Sequence, residues 1–445
     1  KLLIDGDINA TWQAGGRPVF RMASDKAAAF HEKWVVGYGH GSVAEHAVIH
    51  LALENVSILA SKVIEDLRLG SFTEKSTRYV VFGKDSFVDL PDLPEPQHML
   101  YRQNGERLFT TYLDLMPKVI AALTARNPPG TSATAIRSQA CDLLRGLLPA
   151  GTRTNIGLTA NARALEGLLS KMMSSPLAEV RRIAADMHRA ALTIAPTLVK
   201  YAAPNAYRAG RLAAVTAALP PPSGEPYRGN AVTLVRYDPD ALWRVATALA
   251  FEAMETPVEY SNPSRSWLDD GGASRADALR LIAAALENRG RHDPVPRAFE
   301  ATSFTVEIEL DYGAYRDLQR HRLLTPTTQR LTAKLGFETP VDLVEMRLGG
   351  DYANAMRVAR DDWEALAATH PHEAQYAVPL GYRIRTLWTL NLRELFHVVE
   401  LRSGKQGHES YRRIAQALYK AVVDVHPWLT DMIRVDMNDY ALARA

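Results

Sequence analysis

Cysteine is nearly absent from this chain, and its absence excludes two kinds of site. Cys141 is the only cysteine in 445 residues, so the chain can hold neither an internal disulfide framework nor an all-cysteine zinc site. A single cysteine suits a reducing compartment, and we expect a cytoplasmic protein. Cys141 lies in a helical pattern beside Leu143 and Leu144, which favours a buried, inert thiol over a nucleophile.

Charge of one sign and long apolar runs are also missing. The formal net charge is +2, so no overall field selects for nucleic acid or an acidic membrane. No uninterrupted apolar run reaches the ~18 residues that a membrane span needs, and the first residues, KLLIDGD, lack the apolar core of a signal peptide. We therefore expect a small-molecule partner, no nucleic acid and no membrane, and anion recognition by locally placed arginines.

A proline-rich joint separates two segments of equal length. Residues 219–226 read LPPPSGEP, and consecutive prolines can continue neither a helix nor a central strand. The sequence predicts a first domain over residues 1–219, a linker over residues 220–226 and a second domain over residues 227–445.

Corresponding residues recur in the two segments, which predicts a duplication. The first segment holds Pro149, Asn161 and Arg163, and the second holds Pro379, Asn391 and Arg393 at the same spacing. Both asparagines are predicted to lie within helical patterns.

The periodicity predicts an α+β fold. Residues 47–57 and 302–312 look like strands, and the latter alternate well between apolar and charged side chains. Helical spacing of apolar residues is found over residues 241–254, 275–286, 353–366 and 411–423. We expect two modules, each with a small, mostly antiparallel sheet covered by helices.

The first polar cluster reads GHGSVAEH over residues 39–46. Ser42 and Glu45 have the spacing of a capping box at a helix start. His46 and His50 are spaced to share one face of a helix, so a zinc site is an alternative, although the H-x-x-E-H pattern would need histidine where Ser42 stands.

The second polar cluster contains Ser71, Glu74, Ser76, Arg78 and Tyr79. Polar side chains this dense can surround a phosphate and a pyrimidine edge, and arginine offers a planar fork that suits phosphate. A solvated, capped helix start is the alternative.

Two further clusters lie in the second segment. Arg320-His321-Arg322 is either an anion grip or a charged turn between a strand and a helix. Asn391, Arg393, His397 and Arg402 interrupt an otherwise apolar helix, where polar groups need a ligand or partners such as inter-helix salt bridges.

Together these clusters resemble the signature of flavin-dependent thymidylate synthases, which reads RHRxxSxNExSxRY and follows an HxSxxEH element. The first segment matches it with His40, Ser42, Glu45, His46, Ser71, Glu74, Ser76, Arg78 and Tyr79. It has Asp66-Leu67-Arg68 in place of RHR and Thr73 in place of the asparagine. The second segment keeps Arg320-His321-Arg322 but has Arg330 and Thr332 where Ser76 and Arg78 would align.

The resemblance extends to a later helix, which in the family carries Asn-x-Arg, then Asn or His, then Arg. The second segment matches with Asn391, Arg393, His397 and Arg402, whereas the first has Gly167 and Met172 in the later two places. Arg145 matches a phosphate-contacting arginine of the family, and the second segment has Gln375 there.

The resemblance implies a composite site. Family members are homotetramers with sites between subunits, so a two-module chain is expected to form a homodimer in which the intact parts of both segments work together. The implied nucleotide-binding residues are Glu74, Ser76, Arg78, Arg145 and Arg402. The implied flavin-binding residues are His46, Arg320, His321, Arg322, Asn391, Arg393 and His397.

The implied reaction is reductive C5 methylation of dUMP or UMP, with FAD as cofactor and with methylenetetrahydrofolate and NADPH as co-substrates. Ser76 would orient and polarise the base, while Arg402 and Arg78 would stabilise negative charge on the pyrimidine. Related proteins of nucleoside-antibiotic pathways act on UMP, and no motif here reports the 2′ position. The alternative is a non-catalytic paralogue that binds flavin or nucleotide.

Overall fold

The computed structural model describes residues 29, 32–37, 41–220, 230–255 and 274–440. His40 and linker residues 221–226 lie outside the described residues. The strands are β1 (Val48–Ser57), β2 (Gly70–Glu74), β3 (Arg153–Asn161), β4 (Val232–Arg236), β5 (Ser303–Asp311), β6 (Thr325–Thr328) and β7 (Arg383–Asn391).

The α-helices, in chain order, are α1 (Ile58–Glu65), α2 (Glu95–Arg126), α3 (Ala133–Leu144), α4 (Ala162–Met173), α5 (Ala178–Ile194), α6 (Ala206–Ala217), α7 (Ala241–Ala253), α8 (Arg275–Leu286), α9 (Tyr312–Leu318), α10 (Val341–Glu345), α11 (Gly349–Ala367), α12 (Leu392–Arg402) and α13 (Glu409–Val425). Short 3₁₀ turns precede β1 at Gly41–His46 and β5 at Arg297–Ala301.

The chain forms two compact units that do not follow the midpoint of the sequence. The first consists of Lys1–Lys75, Leu90–Leu93 and Arg153–Pro222, and the second of Ser76–Asp89, Pro94–Thr152 and Ser223–Ala445. Residues 76–89 and 94–152 belong to the first half of the sequence but pack with the second half. The division into compact units therefore differs from the division into sequence segments.

The first unit is built on a three-stranded antiparallel sheet with the strand order β1-β3-β2. Val48 pairs with Asn161 and Gly70 pairs with Ala160. Glu179 of α5 accepts hydrogen bonds from the backbone N–H and the hydroxyl of Ser57, at 2.8 and 2.6 Å. Ser57 ends β1 and is also the N-cap of α1. The contact therefore anchors α5 at the junction of this strand and this helix.

The second unit contains a four-stranded antiparallel sheet with the strand order β4-β5-β7-β6. Ser303 pairs with Asn391 and Asp311 with Arg383. Alternate residues of β5 are buried, as the apolar alternation predicted. Two antiparallel sheets with covering helices confirm the α+β prediction.

Most of the predicted elements are confirmed, but the positions of Asn161 and Asn391 were wrong. Each ends a strand and caps the following helix, because an asparagine side chain satisfies a backbone N–H that the first helical turn leaves without a partner. The helical prediction for His46 and His50 also fails, since His46 ends a 3₁₀ turn and His50 lies in β1.

Two equivalent segments of the sequence cross each other inside the second unit. Ala150 N–H donates to Val378 O and Leu380 N–H donates to Leu148 O, both at 2.8 Å. Ala150 is equivalent to Leu380 and Leu148 to Val378, so the two hydrogen bonds are counterparts of each other. Gly146 permits this close approach, because a Cβ there would collide with the hydroxyl of Tyr352. Pieces of both sequence halves are thereby joined in one compact unit.

Among the described residues, α2 has the length and apolar composition that a membrane crossing requires. A core helix of a globular protein passes the same test. Here α2 packs against α3 and α11, the buried Asn104 donates to Ala377 O at 2.9 Å, and Arg107 pairs with Asp362 at 2.6 Å. These polar contacts inside the fold are those of a core helix.

Candidate active site

Arg78 connects the two halves of the sequence within the second unit. Its guanidinium donates to both carboxylate oxygens of Asp142, at 2.8 and 3.1 Å. Its third nitrogen donates to the hydroxyl of Tyr411, 333 residues away, at 2.9 Å. Burial alone would lower the pKa of Arg78, but the Asp142 carboxylate raises it. Arg78 is therefore a fixed, fully charged fork.

Arg145 and Arg320, from different halves, share the carboxylate of Asp317. Arg145 Nη1 donates to Asp317 Oδ2 at 3.2 Å and Arg320 Nη2 donates to Asp317 Oδ1 at 2.6 Å. Burial alone would raise the pKa of Asp317, but Arg145 and Arg320 hold it at about 2. Gly313 leaves room for Arg145, since a Cβ there would lie 3.3 Å from the guanidinium carbon.

Arg402 is held by a buried histidine and the ring of Tyr411. Arg402 Nε–H donates to His321 Nε2 at 2.8 Å, and His321 Nδ1 lies 2.9 Å from Glu394 Oε1. The Arg402 guanidinium lies 5.6 Å from the centre of the Tyr411 ring, and the Arg78 guanidinium lies at the same distance from it. Tyr411 thus stands between the arginines that the resemblance assigns to the substrate.

His397 faces solvent beside this group. Its ring centroid lies 4.9 Å from that of His321, and its Nδ1 lies 3.7 Å from Glu394 Oε2. The ligand atoms of His321, Glu394 and His397 lie within 4.8 Å of one another, a spacing that a metal ion can bridge. Both ring nitrogens of His321 are nevertheless engaged, by Glu394 and by Arg402.

Asn391 and Arg393 are occupied by contacts of the fold itself. Asn391 Oδ1 accepts from the backbone N–H of Glu394 at 2.8 Å. Arg393 donates to Val295 O at 3.0 Å and pairs with Glu300 at 2.8 Å. These contacts are local to the fold, and the assignment of both residues as flavin ligands stays a prediction.

The remaining predicted residues are placed as follows. Ser76 is partly buried, and its hydroxyl accepts from Arg78 N–H at 3.2 Å. Arg322 is exposed in the turn between α9 and β6, and the choice between an anion grip and a charged turn stays a prediction. His46 and Glu74 belong to the first unit, where His46 is exposed and Glu74 ends β2.

The zinc alternative at His46 and His50 gains no support from the described residues. His50 Nδ1 lies 2.8 Å from the hydroxyl of Thr159 on the neighbouring strand. Glu45 pairs with Arg163 at 2.6 Å. Cys141 is fully buried, as the sequence predicted.

A cavity of about 360 Å³ opens beside Arg145. Arg412 also lines it; this side chain is 2% exposed, and its nearest acceptors are Asn438 O at 3.4 Å and Tyr440 O at 3.5 Å. Arg412 Nε and Arg145 Nη2 have no hydrogen-bond partner among the described residues. Two buried guanidinium nitrogens therefore retain the capacity to bind an acceptor.

The cavity wall also carries acidic side chains and a histidine. Glu309 and Glu338 both pair with Arg383, at 3.2 and 2.7 Å, so the two carboxylates share one guanidinium. Burial, together with the charge of Arg145, lowers the pKa of His408 to about 4, and the ring is neutral at pH 7.

Sequence reasoning missed the acidic partners of the site. Asp317 precedes Arg320 by three residues, Glu394 precedes His397 by three residues, and both pairs are in contact. An acid three residues before a predicted basic side chain is the signal that was available for these two acids. Asp142 had no such signal, because it pairs with Arg78, 64 residues away. Tyr411 and Arg412 had no comparable signal, since only the tertiary fold brings them to Arg78 and Arg145.

Comparison with known proteins places this chain in a family. The sequence model described as thymidylate synthase complementing protein matches residues 9–197 and, separately, residues 233–428. The UPF0159 protein of Chlamydia muridarum is 36% identical over 445 residues, which cover 94% of this chain and 83% of that protein. A flavin-dependent thymidylate synthase of Thermococcus kodakarensis is 29% identical over 158 residues, covering 36% of this chain and 59% of that protein.

Among solved structures, the flavin-dependent thymidylate synthase of Helicobacter pylori, complexed with FAD and dUMP, covers 46% of this chain and 99% of its own, with 20% identity and a TM-score of 0.33. The family itself is shown by the two matched segments, which together span most of the sequence, and by the full-length relative. The chain belongs to the thymidylate synthase complementing protein family, the family of the flavin-dependent thymidylate synthases that its polar clusters resemble.

Proposed function

We propose that this protein catalyses flavin-dependent reductive C5 methylation of a uridine monophosphate, dUMP or UMP, with methylenetetrahydrofolate and NADPH as co-substrates. The observation that carries the proposal is the contact of Arg78 with Tyr411, which also stacks on Arg402. It joins the signature arginine of one half to the late-helix arginine of the other. The complementary losses in the two segments thus leave one complete set of cations.

The nucleotide phosphate is proposed to bind near Arg145 and Arg412. Both guanidinium groups line the same cavity, both are buried, and each has a nitrogen without a hydrogen-bond partner among the described residues. Binding sites for small molecules typically have volumes of about 300–1,000 Å³, and this cavity of about 360 Å³ falls in that range. An anion that accepts from both groups would satisfy them.

The uracil ring is proposed to face Arg78, Arg402 and Ser76. Fixed cations stabilise the negative charge that develops on pyrimidine oxygens when C5 attacks a carbon donor, and they do so without reorganisation because their positions are already set. Asp142 and His321 supply that fixation. Ser76 would hydrogen-bond the base rather than attack it.

The residues around Arg320-His321-Arg322 fit an anionic cofactor such as FAD. Arg320, Arg322 and His397 are exposed, and the buried amide of Gln319 has neither atom hydrogen-bonded within the described chain. We propose that these residues hold FAD, and FAD would supply the hydride for the reduction. A route through a cysteine thiolate finds no support, because Cys141 is fully buried.

The second candidate is a flavin- or nucleotide-binding protein without methylase activity. Ion pairs inside the site favour it: Asp317 pairs with both Arg145 and Arg320, and Asp142 pairs with Arg78. In this case the arginines are structural, and the protein binds a ligand but consumes no NADPH.

One experiment separates the two candidates. The purified protein is incubated with FAD, NADPH and methylenetetrahydrofolate, with dUMP and UMP in parallel, and the product is identified by mass. We expect a mass increase of one methyl group on at least one nucleotide, accompanied by nucleotide-dependent bleaching of the flavin. Nucleotide binding without product or NADPH consumption would support the binding protein instead.

A pair of variants connects the product to the proposed site. Arg78→Lys keeps the charge but loses the fork that holds Asp142 and Tyr411 together, and we expect at least a tenfold loss of turnover. Arg182→Lys is the matched control, because Arg182 forms an exposed ion pair with Asp92 in the first unit. Equal activity of the two variants would remove Arg78 from the mechanism.

A further inference from the structure

Glu394 is a buried carboxylate for which the family resemblance provides no role. Its side chain is 3% exposed and that of its partner His321 is 2% exposed. The two are joined by a 2.9 Å hydrogen bond between His321 Nδ1 and Glu394 Oε1. The equivalent position of the first segment is Ala164, so the carboxylate occurs only in the segment that carries Arg402.

The donors and acceptors in this group fix the tautomer of His321. A guanidinium nitrogen can only donate, so His321 Nε2 must accept the hydrogen bond from Arg402 Nε–H, 2.8 Å away. The ring proton is then on Nδ1, from which it is donated to Glu394 Oε1. Both hydrogen bonds therefore require the tautomer that is protonated on Nδ1. Neither could form with the tautomer that is protonated on Nε2.

The electrostatics agree with this assignment. Burial lowers the pKa of His321, and the hydrogen bond to Glu394 opposes this by raising it. The charge of Arg402 lowers the pKa further, so the ring is neutral. Burial alone would raise the pKa of Glu394, but the hydrogen bond from His321 and the neighbouring His397 lower it to about 2. An anionic acceptor and a neutral ring are the states that this hydrogen-bond chain needs.

We propose that Glu394 is a positioning residue that acts through His321 to aim Arg402 at the substrate. The side chain of Arg402 has several rotatable bonds, and its guanidinium would otherwise sample many directions. With His321 locked as an acceptor, Nε–H is committed to the ring and the two Nη groups project from a fixed plane. The inference deepens the proposed function, because aiming Arg402 matters to turnover only if Arg402 stabilises charge on the nucleotide.

The test uses three variants of the full chain. Glu394→Ala removes the acceptor, and Glu394→Gln keeps a neutral one. Glu400→Gln is the control, since Glu400 lies on the same helix α12 and pairs with a buried arginine, Arg289, away from His321. Glu400→Gln removes a comparable ion pair and leaves the hydrogen bonds of Glu394, His321 and Arg402 in place.

The first readout is the tautomer of His321 by ¹⁵N NMR, assigned by comparison with His321→Gln, together with hydrogen-exchange protection of Arg402 Nε–H. The wild type and Glu400→Gln are expected to show a protonated Nδ1 and a protected Nε–H. Glu394→Ala is expected to lose both signatures, and Glu394→Gln to retain them in part. Unchanged signatures in Glu394→Ala would overturn the inference.

The second readout is steady-state kinetics with the preferred nucleotide. We expect Glu394→Ala to lower kcat by about 10- to 100-fold, the cost of misplacing a catalytic group by about 1 Å, with less than a threefold change in KM. Glu400→Gln is expected to leave both constants unchanged. A loss of thermal stability in Glu394→Ala with unchanged kcat would show that the carboxylate is only structural.

Two other outcomes have a defined meaning. If the wild type makes no product, the proposed function fails, and the NMR signatures alone decide whether Glu394 orients His321 and Arg402. If zinc added alone binds to the wild type and Glu394→Ala abolishes its binding, His321 and Glu394 form a metal site, and the positioning role is overturned.

Discussion

Helices α4 and α12 follow equivalent strands, begin with equivalent residues and then diverge. Asn161 and Asn391 cap them with the same contact, a 2.8 Å hydrogen bond from the backbone N–H three residues on. In each helix the arginine two residues after the cap pairs with a glutamate of the 3₁₀ turn before β1 or β5: Arg163 with Glu45, and Arg393 with Glu300. The Asn-x-Arg pattern is therefore a feature of the fold.

The helices differ at three later positions. Ala164, Gly167 and Met172 of α4 are replaced in α12 by Glu394, His397 and Arg402. Met172 is fully buried, whereas Arg402 faces His321 and Tyr411. Residues shared by both copies of the motif therefore hold the fold together, and residues present in one copy form the group of Arg402, His321 and Glu394.

The largest effect is expected when Arg402 and its counterpart Met172 are each replaced by alanine. Arg402→Ala removes a fixed cation and is expected to lower kcat by at least ~10²-fold, as when an oxyanion donor is removed. Met172→Ala leaves a cavity in the core and is expected to cost about 2–5 kcal/mol of unfolding free energy with unchanged kcat. Turnover assays and chemical denaturation measure the two; near-normal turnover in Arg402→Ala contradicts the comparison.

Acid should destabilise the protein through Glu394, which has only Ala164 as its counterpart. The pKa of Glu394 in the folded protein is about 2, below its usual 4.5. As the pH falls, the carboxylate is therefore protonated at a lower pH in the folded state than in the unfolded state. Its contribution is present above pH 4.5 and is lost as the pH falls towards 2, up to about 3 kcal/mol. Urea denaturation of the wild type and Glu394→Gln across this range should give curves that converge at low pH.

The arginines of the two Asn-x-Arg motifs, Arg163 and Arg393, should differ modestly in their contribution to the free energy of unfolding. Arg163 and Glu45 have exposed side chains, and Arg163→Gln is expected to cost less than ~1 kcal/mol. Arg393 is more buried and also donates to Val295 O, so Arg393→Gln is expected to cost about 1–3 kcal/mol. Unfolding free energies and flavin affinity are measured together; weaker flavin binding at unchanged stability would restore Arg393 as a cofactor ligand.

The smallest effects are expected at the caps. Asn161→Ala and Asn391→Ala should each cost about 1 kcal/mol of unfolding free energy, the usual value of a helix N-cap. Thermal or urea denaturation measures both, and Asn→Asp serves as a control because aspartate also caps. A much larger effect of Asn391→Ala on flavin binding than on stability would identify it as a ligand.

Strands, helices and fold class could be predicted from the sequence because apolar periodicity records them directly. The alternation in residues 302–312 predicted β5, and the helical spacing in residues 411–423 predicted α13. Motif matching found Arg78, Arg145, His321 and Arg402. It could not tell caps from ligands, so Asn391 was assigned to the flavin, although its observed contact is local.

The long-range pairing of the acids and the tyrosine could not be predicted, for a physical reason. Asp142 pairs with Arg78, 64 residues away, and Asp317 pairs with Arg145, 172 residues away, and a pattern of one segment contains no information on those pairs. The crossing of residues 146–151 with residues 376–381 brings the halves together, and only the folded chain reveals it.

The most direct test of the central claim, that the two halves complete one nucleotide site, is a crystal structure of the protein with bound dUMP. We expect the nucleotide to contact Arg78 or Arg145 from the first half and Arg402 from the second half of the same chain. A nucleotide held only by residues of one half, or with Arg402 turned away from it, would show that the halves do not complete one site.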